Sequence, residues 1–308
     1  MKIKLLFYIH SYLKSKIPKF ILRKKMQYLR RQTVSEAQAQ RINYYCQRSC
    51  LKDQSTAIAI KDYRFTKPSS YHFDLLPYLG YFDAESKMSY LFGDLTHIPQ
   101  EPSIVKSRPI AKDNQNAVVF KLNTIRHFRF VKDAKSYTEK QDAMVWRGNV
   151  QDHQKARKLL LEKYFSHPDF NIGHVNDFGD NAWRVKKMSP QEQLNYKFIL
   201  SIEGNDVATN LKWIMGSHSL CFMCRPKYET WFMEGTLIPH HHYVLVKDDF
   251  SDLEEQFQYY KKHPEEAMRI IHNANTFVKQ FKNKKSERKI ALLVLDKYLN
   301  TKNTHNKV

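Results

Sequence analysis

Residues 198–225, "FILSIEGNDVATNLKWIMGSHSLCFMCR", run from an apolar stretch through Gly-Asn-Asp into a helix-forming stretch and out into a second apolar run. Strand, glycine turn, helix and strand fit that rhythm, and two strands joined through a helix run parallel. The pattern recurs. From "DAMVWRGN" onward the sequence predicts a strand over 143–146, a helix from about 154 to 165, a loop, and a helix in "SPQEQLNY". Next come a strand in "KFILSIEG", a helix in "ATNLKWIMGS", a strand in "LCFMC", a helix around "YETWFMEG" and a strand in "YVLVK". The stretch "SDLEEQFQYYKKHPEEAMRIIHNANTFVKQF" is helical, with Pro264 opening a new helix. Before residue 135 the runs "AIAI", "MSYLFG" and "AVVFKL" alternate with proline-rich turns such as "THIPQEPSIVKSRPI", the signature of strands joined by long loops.

These changes of rhythm divide the chain into two α/β domains that meet near residues 130–140, a natural place for a ligand cleft. The expected organisation is a basic segment over 1–35, an N-terminal domain over 36–138, a C-terminal domain over 139–285, and a helix with a polar tail over 286–308. No internal repeat is visible. The 308 residues, 42% of them hydrophobic and 13% aromatic, are enough for two folded cores. The formal net charge of +20 draws in nucleic acid, anionic membrane or phosphorylated small molecules, and charge alone does not choose among them.

Part of the charge is localised. Lys2, Lys4, Lys14, Lys16, Lys19, Arg23, Lys24, Lys25, Arg30 and Arg31 all precede the first acidic residue, Glu36, and are interspersed with Leu5, Leu6, Phe7, Ile9, Tyr12, Leu13, Ile17, Phe20, Ile21 and Leu22. That mixture suits an interfacial anchor on an anionic membrane. It equally suits a helix packed on its own domain with a solvated basic face. The longest apolar run in it, residues 5–9, is far too short to span, and the segment does not build a secretory signal.

Metal readings are weak. Cys46 and Cys50 stand four apart, while Cys221 and Cys224 belong to a strand whose alternation points them to opposite faces, so reduced cysteines in a cytosolic protein are expected. "PHHHY", residues 239–243, splits its histidines between faces in the same way.

In "EGNDVATN", Gly204 allows a tight exit from a strand, Asn205 or Asp206 can cap the helix that follows, Thr209 and Asn210 lie in or beside its first turn, and Lys212 is one turn further on. A helix N-terminus beyond a parallel strand binds anions, so the geometry suits a diphosphate. The same residues also fit a capped helix with a solvated lysine. A second junction, "VWRGNVQDHQKARKLL", repeats the arrangement with Arg147 at the strand end and Lys155 and Arg157 near the helix start. Two cationic junctions in one domain point to a phosphate site.

"VWRGN" followed by "KFILSIEGNDVATNLKWIMGSHSLCFMCRPKYETWFMEGTLIPHHHYVLVKDDFSDLEEQFQYYKKHPEEA" resembles glycosyltransferase family 90, most closely its bacterial lipooligosaccharide branch, over about residues 85–282. The resemblance implies a GT-B fold, two Rossmann-like domains facing across a cleft, with a nucleotide-sugar held by the C-terminal one, an inverting reaction and no required metal. It places Arg147 and Gly148 on the family's Arg-Gly pair near the donor phosphates and Lys212 on a donor-side lysine. Asn210 stands where the eukaryotic branch carries an arginine. It aligns "LFGDLTHIPQEPSIVKSRPI" with the loop carrying the catalytic aspartate, which makes Asp94 the expected base and Asp83 the reserve. Glu229, Trp231 and Glu234 are expected along the donor pocket, and a structural role suits Trp231 as well.

Inverting transfer needs a carboxylate to take the acceptor proton and cations to stabilise the leaving nucleoside diphosphate. The expected protein is therefore a cytoplasmic glycosyltransferase, peripheral on the inner face of the bacterial inner membrane. It moves a hexose from a UDP-sugar to a lipopolysaccharide or lipooligosaccharide core sugar, with no cofactor and no nucleic-acid partner. Two readings of other classes are a nucleic-acid-binding protein, suggested by cations among aromatics in "NTIRHFRFVKDAKSY", and a non-catalytic membrane scaffold.

Overall fold

The structure is a computed structural model that describes residues 2–47, 55–64, 69–179 and 182–300. In chain order the elements are α1 (Lys2–Ser15), α2 (Lys19–Arg30), α3 (Glu36–Tyr45), β1 (Ile58–Ala59), α4 (Ser70–Leu79), β2 (Lys87–Met88), β3 (Tyr90–Leu91), β4 (Ser103–Val105), β5 (Ser107–Pro109), β6 (Ala117–Val119) and α5 (Thr124–His127). They continue as β7 (Gln141–Gly148), α6 (Lys155–Tyr164), β8 (Phe170–His174), α7 (Pro190–Gln193), β9 (Tyr196–Leu200), α8 (Leu211–Met215), β10 (Leu220–Met223), β11 (Tyr228–Thr230), β12 (Val244–Leu245), α9 (Leu253–Lys262), α10 (Pro264–Lys279) and α11 (Lys284–Asn300). The chain forms two compact units. One holds the residues up to Arg126, the return segment Tyr228–Phe232 and the chain from Asn283; the other holds His127–Lys227 and Met233–Lys282.

The second unit is built on a five-stranded sheet in the order β12-β10-β9-β7-β8, with every pair parallel. A parallel sheet covered on both faces needs apolar side chains throughout, and Phe198, Ile199, Leu200 and the whole of β10 are buried. Their core is completed by Met144, Trp146, Val244, Phe257 and Ile270. The chain runs from β7 outward to β8 and then returns to the other side of β7 for β9, so the order reverses between β7 and β9. In a doubly wound sheet that reversal opens a crevice at the carboxyl ends of the two strands.

Three local expectations change. Residues 170–174, read as loop, form β8 beside β7 with Ile172 opposite Trp146. Gly173 inside that strand hid it, and the glycine is needed because a Cβ there would lie 2.4 Å from the Val185 side chain. The helix read in "ATNLKWIMGS" shrinks to the five residues of α8, bounded by Asn210 and Gly216. The helix read around "YETWFMEG" is instead β11, antiparallel to β5 with Glu229 opposite Arg108, and it ends before Met233, which has φ of 60°.

The first unit carries a three-stranded parallel sheet, β3-β4-β6, with the antiparallel pairs β1-β2 and β5-β11. Its core is tied by one buried carboxylate. Glu287 of α11 meets Arg41 Nη2 of α3 at 2.7 Å and Lys121 Nζ at 2.7 Å, and it accepts from Trp231 Nε1 at 2.8 Å. The Trp231 indole stacks on Tyr45 with ring centroids 3.8 Å apart. Segments far apart in sequence are thereby fastened to one group. Replacing Glu287 by alanine strands two cations, so urea unfolding of Glu287→Ala is expected to show a loss of about 3–5 kcal/mol.

Candidate functional site

The two glycine junctions meet at the crevice between β7 and β9. Arg157, in the first turn of α6, donates to the carbonyls of Asn149 at 2.6 Å, Ile202 at 2.9 Å and Glu203 at 3.1 Å, so one guanidinium holds the exits of both strands. Its cation lies 5.8 Å from the Trp146 ring centroid. Gly204 is in contact with it: a Cβ there would sit 2.8 Å from Arg157 Nη2. Gly148 is held to glycine by the indole, since a Cβ would fall 2.5 Å from Trp146 Cζ2. Beside them His153 Nε2 and Gln154 Nε2 both donate to Asn205 Oδ1, at 2.8 and 2.9 Å. Arg157, Gly148, Gly204 and Asn205 are thus gathered at one edge of the sheet.

Other expected residues lie differently. Arg147 is the penultimate residue of β7, but its guanidinium donates to Asn171 Oδ1 at 2.6 Å, to the Asn171 carbonyl at 2.7 Å and to the Lys186 carbonyl at 3.1 Å, and burial lowers its pKa from the ordinary arginine value. Asn205 and Asp206 do not cap α8, which Asn210 precedes. Asn210 braces β9 instead, donating to the Leu200 carbonyl at 2.9 Å and accepting from Ser201 Oγ at 3.1 Å. Asp206 is buried and Thr209 half-buried beside it. Lys212 is fully buried with its ammonium 2.5 Å from Glu234 Oε1. Arg225, just past β10, and Lys155, at the start of α6, are exposed at the same carboxyl edge, and no acidic side chain pairs with either among the described residues. Lys155 was legible from its place in the second junction, whereas Arg225, His153 and Gln154 carried no motif.

In the first unit Asp94 follows Gly93, whose φ of 131° suits glycine, at the carboxyl end of β3. It is paired with the ammonium of Lys106, which is buried just past β4, while the Asp94 side chain keeps 26% of its surface exposed. A carboxylate held by a buried cation at the carboxyl edge of a parallel sheet has the makings of an oriented base. Asp83 is different: its side chain is 71% exposed in a turn, with Arg23 Nη2 at 3.8 Å. Glu229 is buried, accepting from Arg108 Nε at 2.7 Å and from the Tyr44 hydroxyl. Lys106 and Arg108 alternate along "VKSRP", a spacing that shows an extended stretch and says nothing of the carboxylates they meet.

The histidines of "PHHHY" take separate partners: His240 Nδ1 lies 3.1 Å from the Tyr260 hydroxyl, and His242 Nδ1 accepts from the Ile238 amide at 3.0 Å. Burial lowers the His242 pKa to about 4. Cys50 lies outside the described residues; Cys221 and Cys224 are free thiols, and burial pushes Cys224 up to about 12. Among the described residues no three His, Cys, Asp or Glu side chains gather as a metal site requires.

Comparison with known proteins connects this geometry to a family. The family model described as Glycosyl transferase family 90 matches residues 121–305. The chain is 48% identical over 233 residues to the "O-glucosyltransferase LpsA" of Dichelobacter nodosus, a match covering 75% of this chain and 73% of the relative. It is 33% identical over 86 residues to "Protein O-glucosyltransferase 2" of Danio rerio, covering 28% of this chain and 17% of that protein.

The grip of Arg157 on both strand exits yields a direct test. Lysine keeps the charge but cannot present a fork to three carbonyls, so Arg157→Lys is expected to unfold with a loss of about 1–3 kcal/mol in a denaturant titration. Gly204→Ala, which pushes the guanidinium away, is expected to lose a similar amount.

Proposed function

The chain belongs to glycosyltransferase family 90, and we propose that it transfers a hexose from a UDP-sugar to a core sugar of lipopolysaccharide or lipooligosaccharide, inverting the anomeric centre without a metal. Glucose is favoured over galactose, because the relative from Dichelobacter nodosus carries the name O-glucosyltransferase. The observation that carries the reading is the meeting of "RGN" and "EGN" at the one place in the five-stranded sheet where strand order reverses. The family's GT-B arrangement belongs to the same reading.

In this reading the diphosphate lies over the carboxyl ends of β7 and β9, at the N-terminal end of α6, where the helix dipole favours an anion. Arg157 holds the loops in shape; Lys155 and Arg225 supply mobile positive charge at that edge. Arg147, expected from the family resemblance near the phosphates, has its donors on Asn171 and two carbonyls, so its contribution is to the field and to the strand end. As the bond from the anomeric carbon to the departing phosphate oxygen breaks, negative charge grows on the diphosphate and these groups stabilise it.

Asp94 takes the proton from the acceptor hydroxyl as that oxygen bonds to the anomeric carbon. Lys106 holds the carboxylate in place through their ion pair. Asp94→Asn retains size but loses basicity, so sugar transfer from UDP-glucose is expected to fall about 10²-fold or more while UDP affinity holds. The melting temperature is expected to drop as well, because the buried Lys106 loses this carboxylate, and turnover is therefore compared at a temperature where the variant is folded. Asp83→Asn is expected to keep its rate. A folded Asp94→Asn protein with wild-type turnover contradicts the assignment.

A further inference from the structure

The first two helices place their apolar residues on the wrong side for a soluble protein. On α1, Leu5, Leu6, Ile9, Tyr12 and Leu13 are 46–65% exposed. At the helical period these five fall within an arc of about 120°. The opposite face is the one that packs: Ser11 is buried, and Tyr8 stacks on Phe73 of α4 with centroids 4.5 Å apart. On α2, Leu22 and Met26 are buried, whereas Phe20, Ile21 and Tyr28 stand 47–64% exposed. Eight of the fourteen large apolar side chains exposed in the described chain lie between residues 5 and 28, so the exposed apolar surface is concentrated on these two helices.

That surface is set among cations. Lys16, Lys19, Lys24 and Lys25 are exposed, and none has an acidic partner among the described residues. Lys16 carries its ammonium 4.7 Å from the Tyr12 ring centroid, beside the apolar face. Arg23 and Arg30 turn instead to Asp83 and Asp296. No described helix is long and apolar enough to cross a membrane.

We propose that the outer faces of α1 and α2 form a platform that seats the protein on an anionic lipid surface, with Leu5, Leu6, Ile9, Leu13 and Phe20 entering the acyl boundary and the lysines lying among headgroups. The charge selects this occupant. A second copy of the chain docked through the same face would bring two unneutralised lysine clusters together, whereas anionic lipid neutralises them and covers the apolar side chains at once. The helices are also part of the fold: deleting residues 1–31 would remove Leu22 and Met26 from the core, so substitutions of exposed side chains isolate the platform. The inference is independent of the reaction assigned to the protein.

Flotation of the full chain with vesicles of phosphatidylcholine, with or without phosphatidylglycerol, tests it. Wild type is expected to float with the anionic vesicles, less so as salt rises, and to remain behind with the neutral ones. The double variant Leu6→Asp, Leu13→Asp is expected to lose at least about tenfold in partitioning with an unchanged melting temperature, because both side chains start in solvent. Lys24→Gln with Lys25→Gln is expected to weaken binding to anionic vesicles alone. Wild type that stays in solution with anionic vesicles overturns the proposal, as does a double variant that floats equally well. Self-association that Leu13→Asp abolishes, in a protein indifferent to vesicles, assigns the face to a second copy and overturns it too.

Discussion

The crevice of the five-stranded sheet depends on a single guanidinium. Carbonyls just beyond a strand end have left the ladder and need donors, and three of them, on two loops, point to Arg157. Arginine meets that need because its donors sit in a fixed planar fork. The consequences spread outward. Gly204 has to be glycine where the fork passes, Trp146 lies near the cation, and Gly148 has to be glycine where the indole lies. His153 and Gln154 then close on Asn205. One connected set of hydrogen bonds thus braces both turns that frame the switch point.

The net charge of +20 is divided between two uses. Inside, cations are matched: Lys212 with Glu234, Arg108 with Glu229, Lys140 with Asp133, and Arg41 and Lys121 with Glu287. Such pairs stabilise little relative to an apolar replacement, but breaking one leaves a buried charge uncompensated. A lysine inside a motif is therefore not by its position a ligand, and Lys212 illustrates this. Outside, Lys155 and Arg225 stand at the carboxyl edge of the larger sheet and the lysines of α1 and α2 at the surface, where charge remains available to phosphate or to lipid.

The strands β7, β9, β10 and β12 were legible because parallel strands covered on both faces read as apolar runs, and Pro264 marked the start of α10. The switch point was not: nothing local in "DFNIGH" says that β8 lies outside β7, so the reversal of order that singles out the two junctions emerges only in three dimensions. Residues 228–232 misled because five residues carrying Trp231 and Phe232 fit a helix turn as well as a strand, and their partner, β5, lies more than a hundred residues upstream. Gly148, Arg157, Gly204 and Asn205 at the two junctions were singled out from spacing, and Asp94 after β3 from family resemblance. Their partners were not, since Arg147 to Asn171, Lys212 to Glu234 and Asp94 to Lys106 are contacts that no spacing rule encodes.

The most direct test of the donor seat is hydrogen–deuterium exchange of the full protein with and without UDP-glucose. Ligand over the switch point is expected to slow exchange in residues 148–157 and 201–210 together, because both loops share the Arg157 fork. Saturating UDP-glucose that leaves both segments unchanged while slowing exchange elsewhere would contradict the account.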